Sequence, residues 1–343
     1  MKFLSLCLCG LFLISCGVPA PSAKKELNIY IWSNYITEET LKRFEKETGI
    51  HSHIDTYDSN EALLEKIQSG VADYDIIVPS DYMVRILLLQ NLLEKLDPPK
   101  LPNIKNLNPR FRNLPFDANN EHSIPFLWGT TGIGYNKKKI TEPVDSWAAL
   151  WNTKYKDRIL MLDDERECFN AVLKWKGHSL NSKNPADLEE AKNLLLQQKP
   201  LVKTYNSGSF DEILLSGDVW LAHGYSGQLA KLKDQNPDFD YVIPKEGATL
   251  WVDNLAVPKA SRHKEEAYAF INFCLDPKNA AEITNVSGYP SPNEAAKAFI
   301  KPEILHDPAR YPDEAMLSKC ELTADLGPAT KLLDEYWTEI KSK

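Results

Sequence analysis

Leu27–Tyr57 reads LNIYIWSNYITEETLKRFEKETGIHSHIDTY. LNIYI and IHSHIDTY are rich in β-branched and aromatic residues and predict strands. Between them Thr37 is placed as a helix N-cap. Glu38 and Glu39 suit the positive end of a helix dipole, Leu41 and Phe44 face inward, and Gly49 ends the element. The pattern then repeats. DSNEALLEKIQSG predicts a second helix, with Asp58 and Glu61 as its capping pair and Gly70 closing it. YDIIVP, Tyr74–Pro79, is an apolar run suited to a buried parallel strand. This alternation implies an α/β fold on an open, mainly parallel sheet flanked by helices. Ligands bind such sheets beyond the carboxyl ends of the strands. Trp32, Ser33, Asn34 and Tyr35 follow the first strand, and Ser80, Asp81 and Tyr82 follow the third. Two polar, aromatic loops therefore share one rim, which favours a site there.

Downstream, IPFLWGTTGIGYN is small and flexible at its centre and reads as a crossing between domains. A helical stretch starts at Pro185. Short strands follow at VWLAHGY, FDYVIP and LWVDNLAVP, then the helix RHKEEAYAFINFCL. The last helix carries Leu333, Tyr336, Trp337 and Ile340 on one stripe. No internal repeat or low-complexity tract is present.

The 343 residues suffice for two domains, and 43% hydrophobic with 26% charged is a globular composition. A formal charge of −8 argues against a nucleic-acid partner and is compatible with a cationic ligand, although many soluble proteins are mildly acidic. MKFLSLCLCGLFLISC has one lysine, an apolar run and no acid, which predicts a signal peptide over residues 1–15. Leu13–Cys16 resembles a bacterial lipoprotein cleavage box. That resemblance implies a lipidated Cys16, a tether over residues 16–26 and a membrane-anchored, extracytoplasmic protein. Loss of the leader removes one lysine and no acid, taking the charge from −8 to −9. Cys168, Cys274 and Cys320 then remain outside the lipid site. They allow at most one disulfide and match no zinc spacing. Cys274, on a stripe with Ala267, Phe270 and Ile271, is expected in the core.

In LWVDNLAVP, Leu250–Pro258, alternate residues share a strand face, so Trp251 and Asp253 point the same way as Leu255 and Val257. A buried carboxylate costs several kcal/mol unless a positive or hydrogen-bonding group meets it. DDERE, Asp163–Glu167, raises the same issue. Its acids suit the start of the helix ERECFNAVLKW, or else they belong with the aromatic residues in an ammonium site. Paired carboxylates also leave glycoside hydrolysis open. His51 and His53 share a strand face, which fits a solvated strand better than a metal site. P-loop, GxSxG and HExxH motifs are absent, and GTTGIG lacks dinucleotide spacing.

IWSNYI, FEKETGI, YDIIVPSDYMV, IPFLWGTTGIGYN, SWAALW, DDERE, LWVDNLAVP and GYPSPN occur in that order. Together they resemble the extracytoplasmic spermidine/putrescine-binding proteins of ABC importers. The resemblance implies a non-catalytic, monomeric receptor without cofactor or metal, which hands polyamine to a membrane permease. It implies two discontinuous α/β domains, 27–129 with 252–297 and 130–251 with 298–343, with the ligand cleft between them. It also implies ligand contacts at Trp32, Ser33, Tyr35, Ser80, Tyr82, Asp164, Glu167, Trp251, Asp253 and Tyr289. His223 stands where this family places a Trp, and Thr323 where it places a Gln. Both are expected at the ligand, with His223 conferring pH sensitivity between about pH 5 and 8. Another small cation or an amino acid as ligand, a hydrolase, and a surface adhesin or sensor are the competing readings.

Overall fold

The computed structural model describes residues 25–70 and 73–343. The leader, Cys16 and the tether as far as residue 24 lie outside the described residues. Among the described residues the strands are β1 (Lys25–Trp32), β2 (Ile50–Tyr57), β3 (Ile76–Ile77), β4 (Ser123–Asn136) and β5 (Ile159–Met161). They continue with β6 (Val202–Tyr205), β7 (Leu221–Tyr225), β8 (Phe239–Val242), β9 (Thr249–Ala256) and β10 (Glu321–Leu322). Their order is β2-β1-β3-β9-β4-β7-β5-β6, with β8 on β4 and β10 on β9. Parallel triplets occupy the two ends, β2-β1-β3 and β7-β5-β6. Between them β4 and β9 run antiparallel to each other.

Strand β4 divides its pairing. Residues 123–130 pair with β9, whereas 131–136 pair with β7 and β8. The two largest apolar cores fall on either side of this division. One gathers Leu27, Ile29, Ile76, Leu255 and Phe270; the other gathers Ile133, Trp147, Leu160, Phe169 and Leu221. The molecule is therefore two lobes joined through crossing strands. Cys274 lies in the first core, as its stripe implies. Further along, Ile304 packs with Ala280, and Ala309 joins the second core.

Local signals explain the elements around the cleft. The helix Glu38–Thr48 is capped by the Thr37 side chain, which accepts the Thr40 amide at 3.3 Å, and Gly49 follows at φ 71°. The next helix, Asn60–Gln68, is capped by Ser59 and not by Asp58, because Ser59 is one residue closer to the Ala62 amide it accepts. The strand expected over Tyr74–Pro79 contracts to Ile76–Ile77. Just beyond it the Val78 carbonyl accepts the Trp32 indole at 2.9 Å and the Tyr57 hydroxyl at 2.6 Å, so side chains take the place of a ladder partner. The glycines of WGTTGIG are not a flexible link. A Cβ on Gly129 would collide with Trp251, and one on Gly132 with Tyr241, so glycine lets bulky rings lie on the crossing strand. Cys168, Cys274 and Cys320 are all free thiols.

Candidate functional site

Where the strand ends of both lobes face each other, a cavity of about 790 Å³, mouth included, opens. The first lobe contributes the loop after β1, with Trp32, Ser33, Asn34 and Tyr35, and the helix start at Ser80, Asp81 and Tyr82. Tyr57, Asp58 and Asn60 adjoin them. Asp164, Arg166 and Glu167 come from the start of the helix Glu165–Trp175 in the second lobe, and Tyr225 from the end of β7. Trp251 and Asp253 lie on the crossing strand β9.

Asp253, only 3% exposed, is met by two hydroxyls. Tyr35 donates a short hydrogen bond to Oδ2, and Ser80 donates to Oδ1 at 2.6 Å. Asn60 fixes Ser80 in turn, donating to its Oγ and accepting its backbone amide, both at 3.1 Å. Burial pushes Asp253 up to about 7, against the pull of the Ser80 and Tyr35 hydrogen bonds. Two hydroxyls hold the carboxylate in place but bring no positive charge. The site is thus ready for a cation and incompletely compensated without one.

The acids of DDERE have two duties. Asp164 is the N-cap of its helix and accepts the Glu167 amide at 3.0 Å. Glu167 accepts the Thr249 hydroxyl at 2.9 Å, and Asn170 supports that hydroxyl at 3.1 Å. Both acids also line the cavity. Burial, reinforced by the Glu61 charge, raises Asp164 to about 6; burial, with Asp164 beside it, raises Glu167 to about 8. Arg166 donates from Nη1 and Nη2 to the Ala324 carbonyl at 3.2 Å, and its guanidinium lies 5.7 Å from the Tyr82 ring centroid across the cleft.

An aromatic wall joins the two acidic ends. Trp251 meets Tyr289 edge-on at 5.3 Å and Tyr225 at 6.0 Å, and Tyr289 tilts onto Tyr35 at 5.3 Å. Tyr289 also reaches the other lobe, donating to Gln228 at 2.9 Å. Carboxylates at both ends of such a wall fit a flexible chain with cationic ends and an apolar stem.

Of the residues expected at a ligand, Trp32, Ser33, Tyr35, Ser80, Tyr82, Asp164, Glu167, Trp251, Asp253, Tyr289 and Thr323 line this cavity. His223 does not. It sits in the middle of β7, fully buried, with its ring edge-on to Trp147 at 5.4 Å. Burial alone drives its pKa down to about 3, so it stays neutral over the physiological range. The cavity position belongs to Tyr225, two residues on along the same strand face, where β7 reaches the cleft. Sequence reasoning also passed over Arg166, hidden among the acids of DDERE, and Gln228, which carried no motif. His51 and His53 are exposed on the edge strand β2, their rings edge-on at 4.8 Å. Among the described residues, no group of three or more His, Cys, Asp and Glu is arranged to hold a metal ion.

Residues 39–312 match the bacterial extracellular solute-binding protein family. The spermidine/putrescine-binding periplasmic protein of Salmonella typhimurium is 37% identical over 318 residues, covering 92% of this chain and 91% of that protein. A Listeria monocytogenes structure named for a spermidine/putrescine ABC transporter has a TM-score of 0.89 at 39% identity. The match covers 92% of this chain and 99% of that one. A Treponema pallidum lipoprotein structure has a TM-score of 0.86 at 30% identity, covering 93% and 100%. These relatives are solute-binding transport proteins with the two-domain periplasmic-binding-protein fold described above. The chain therefore belongs to the bacterial extracellular solute-binding proteins, in the group of the spermidine- and putrescine-binding proteins of ABC importers.

Proposed function

We propose that this protein is the extracytoplasmic receptor of an ABC importer, which binds spermidine or putrescine in the interdomain cleft and delivers it to the permease. The observation that carries this reading is Asp253: a buried carboxylate on the same cavity-lining strand as Trp251, gripped by two hydroxyls and in no ion pair with a cation among the described residues. In this reading one ammonium binds Asp253, another binds Asp164 and Glu167, and the methylene chain lies along Trp251, Tyr289 and Tyr225. The carboxylates of the empty closed cleft repel one another, and a polyamine relieves that repulsion, so ligand and closure favour each other. Hinge motion about β4 and β9 opens the cleft for entry. No bond of the ligand is broken, so the receptor is not an enzyme. It acts as a monomer held at the membrane by lipid on Cys16, a reading supported by the cleavage-box resemblance and by the lipoprotein relative.

Calorimetric titration of the purified protein with putrescine, spermidine, spermine and, as controls, glycine betaine and a sugar tests the reading. Saturable binding of a polyamine at micromolar concentration or below supports it. Binding of a control ligand alone, or of none of them, refutes it. Growth of cells in a lipid precursor label, with Cys16→Ala as the comparison, tests the anchor: label retained by the variant removes Cys16 as the attachment point.

A further inference from the structure

Asp81 opens the helix Asp81–Leu89 and lies in the cavity wall, only 1% exposed. Oδ1 accepts the Tyr82 amide at 2.7 Å, while Oδ2 has no well-formed hydrogen bond and the carboxylate feels only the further pull of the Val252 amide. A fully buried carboxylate oxygen met so weakly is a state that folded proteins rarely tolerate. Burial raises the Asp81 pKa well above the carboxylate range, and the Asp253 charge adds to this; the Tyr82 and Val252 amides and Arg166 oppose it. The Asp81 charge is felt at Glu167 too. Asp81 is thus within electrostatic reach of both acidic ends of the cleft.

Arg166 does not satisfy it. Its two terminal nitrogens are committed to the Ala324 carbonyl and its face to the Tyr82 ring, and among the described residues it forms no ion pair with Asp81. The charge balance is informative. Asp58 is exposed at the rim and is screened by solvent. The remaining lining acids are Asp81, Asp164, Glu167 and Asp253, and Arg166 is the lining cation. When fully ionised, four lining carboxylates against one guanidinium carry three negative charges, and Glu61 behind the lining adds to the field at Asp164. A linear triamine carries three ammonium groups at neutral pH, whereas a diamine carries two and leaves one acid in need of a proton.

We propose that Asp81 is a specificity-determining residue, which receives the inner ammonium of a triamine whose ends lie at Asp253 and at Asp164–Glu167. The cleft is then selective for a spermidine-like triamine over a diamine. This rests on the polyamine reading above and adds the length and charge of the ligand to it.

The test compares spermidine and putrescine on the purified protein and on Asp81→Asn, by calorimetry at pH 7. The unaltered protein is expected to prefer spermidine by at least tenfold, and Asp81→Asn to reduce that preference at least tenfold. A preference for putrescine in the unaltered protein overturns the proposal. So does an equal change for both amines in the variant, which is the signature of a merely structural Asp81. A second measurement needs no variant. Titrations in buffers of different ionisation enthalpy count the protons released, and spermidine is expected to expel close to one more proton than putrescine. Equal release by the two amines contradicts the assignment. If the unaltered protein binds neither amine, the polyamine reading itself fails, and this outcome is seen before any variant is made.

Discussion

Asp253→Asn offers the sharpest test of the cleft chemistry. The substitution keeps the side-chain shape but removes the charge. It also leaves one acceptor oxygen where Tyr35 and Ser80 now each have one, so one hydroxyl must turn away. Removing one member of a buried, hydrogen-bonded charge pair costs about 2–5 kcal/mol. The lower part of that range applies here, because Asp253 is raised to about 7 and is only partly ionised at pH 7 before ligand arrives. A loss of about 2–3 kcal/mol corresponds to roughly 30- to 150-fold weaker polyamine binding at pH 7. At pH 5 the parent must first surrender a proton about two units below its pKa, at about 2.7 kcal/mol. The parent and the variant should therefore converge to within about threefold at pH 5. Calorimetric or fluorescence titration at both pH values measures this. A ratio below threefold at pH 7, or one that stays constant from pH 5 to 8, would falsify the reasoning.

The same group makes a prediction of opposite sign for stability without ligand. Unfolded Asp ionises near 3.8 and the buried group near 7, so between these values the folded state holds more protons. Its stability therefore falls as pH rises through that window, by up to about 4 kcal/mol for this group. Asp253→Asn lacks this slope. In urea unfolding the ligand-free variant should match or exceed the parent at pH 8 while binding polyamine worse; a variant weakened in both respects contradicts the prediction.

Three further outcomes are expected. Asp164 at about 6, Asp253 at about 7 and Glu167 at about 8 must lose protons to meet ammonium groups, so polyamine affinity should climb between about pH 5.5 and 8.5, with proton release; a flat profile from calorimetry is the contrary result. His223, held near 3 by burial, is neutral in the fold while its unfolded form protonates below 6.5, so this group's own contribution to stability is lost as pH falls through that window, opposite in sign to that of Asp253. His223→Leu should leave polyamine selectivity unchanged and raise the melting temperature at pH 4.5 relative to the parent, and altered selectivity would return His223 to the site. Gly227 lies where a Cβ would enter the Tyr289 ring, so Gly227→Ala should weaken ligand binding more than tenfold while far-ultraviolet circular dichroism stays native; unchanged affinity would remove Tyr289 from the ligand wall.

Much of this was legible where short-range chemistry decides the outcome. Thr37, Gly49 and the alternation of Leu27–Tyr57 depend on neighbours in sequence, and so did the shared face of Trp251 and Asp253. The position of His223 away from the cavity has a different origin. His223 and Tyr225 share one face of β7, and only the length of the strand tells which of them reaches the cleft. Strand ends are set by tertiary pairing, here by Thr131↔Tyr225 on β4, and no local pattern records that. The contraction of β3 was hidden for the same reason: the Val78 carbonyl is taken by Trp32 and Tyr57, both distant in sequence. The glycines of WGTTGIG showed that side chains are excluded, but not whether freedom of the backbone or a neighbouring ring excludes them.

On the proposed reading, the topology also accounts for the link between ligand and closure. Asp253 belongs to a crossing strand, Asp81 to one lobe, and Asp164 and Glu167 to the other. Opening the hinge separates these acids and gives them back to water, where their charges are cheap. Closing brings them together in a dry cleft, where each is forced toward its neutral form. The direct contacts across the closed cleft include Tyr289 to Gln228 and Arg166 over Tyr82. Each contributes about 1 kcal/mol, less than the cost of desolvating even one of the acids. The empty protein therefore gains little by closing. A polyamine supplies the missing charge to both lobes at once, and a ligand reaching only one end leaves the other end uncompensated. Closure thus reports on the whole length of the ligand, and that is the property a permease needs in order to tell a loaded receptor from an empty one.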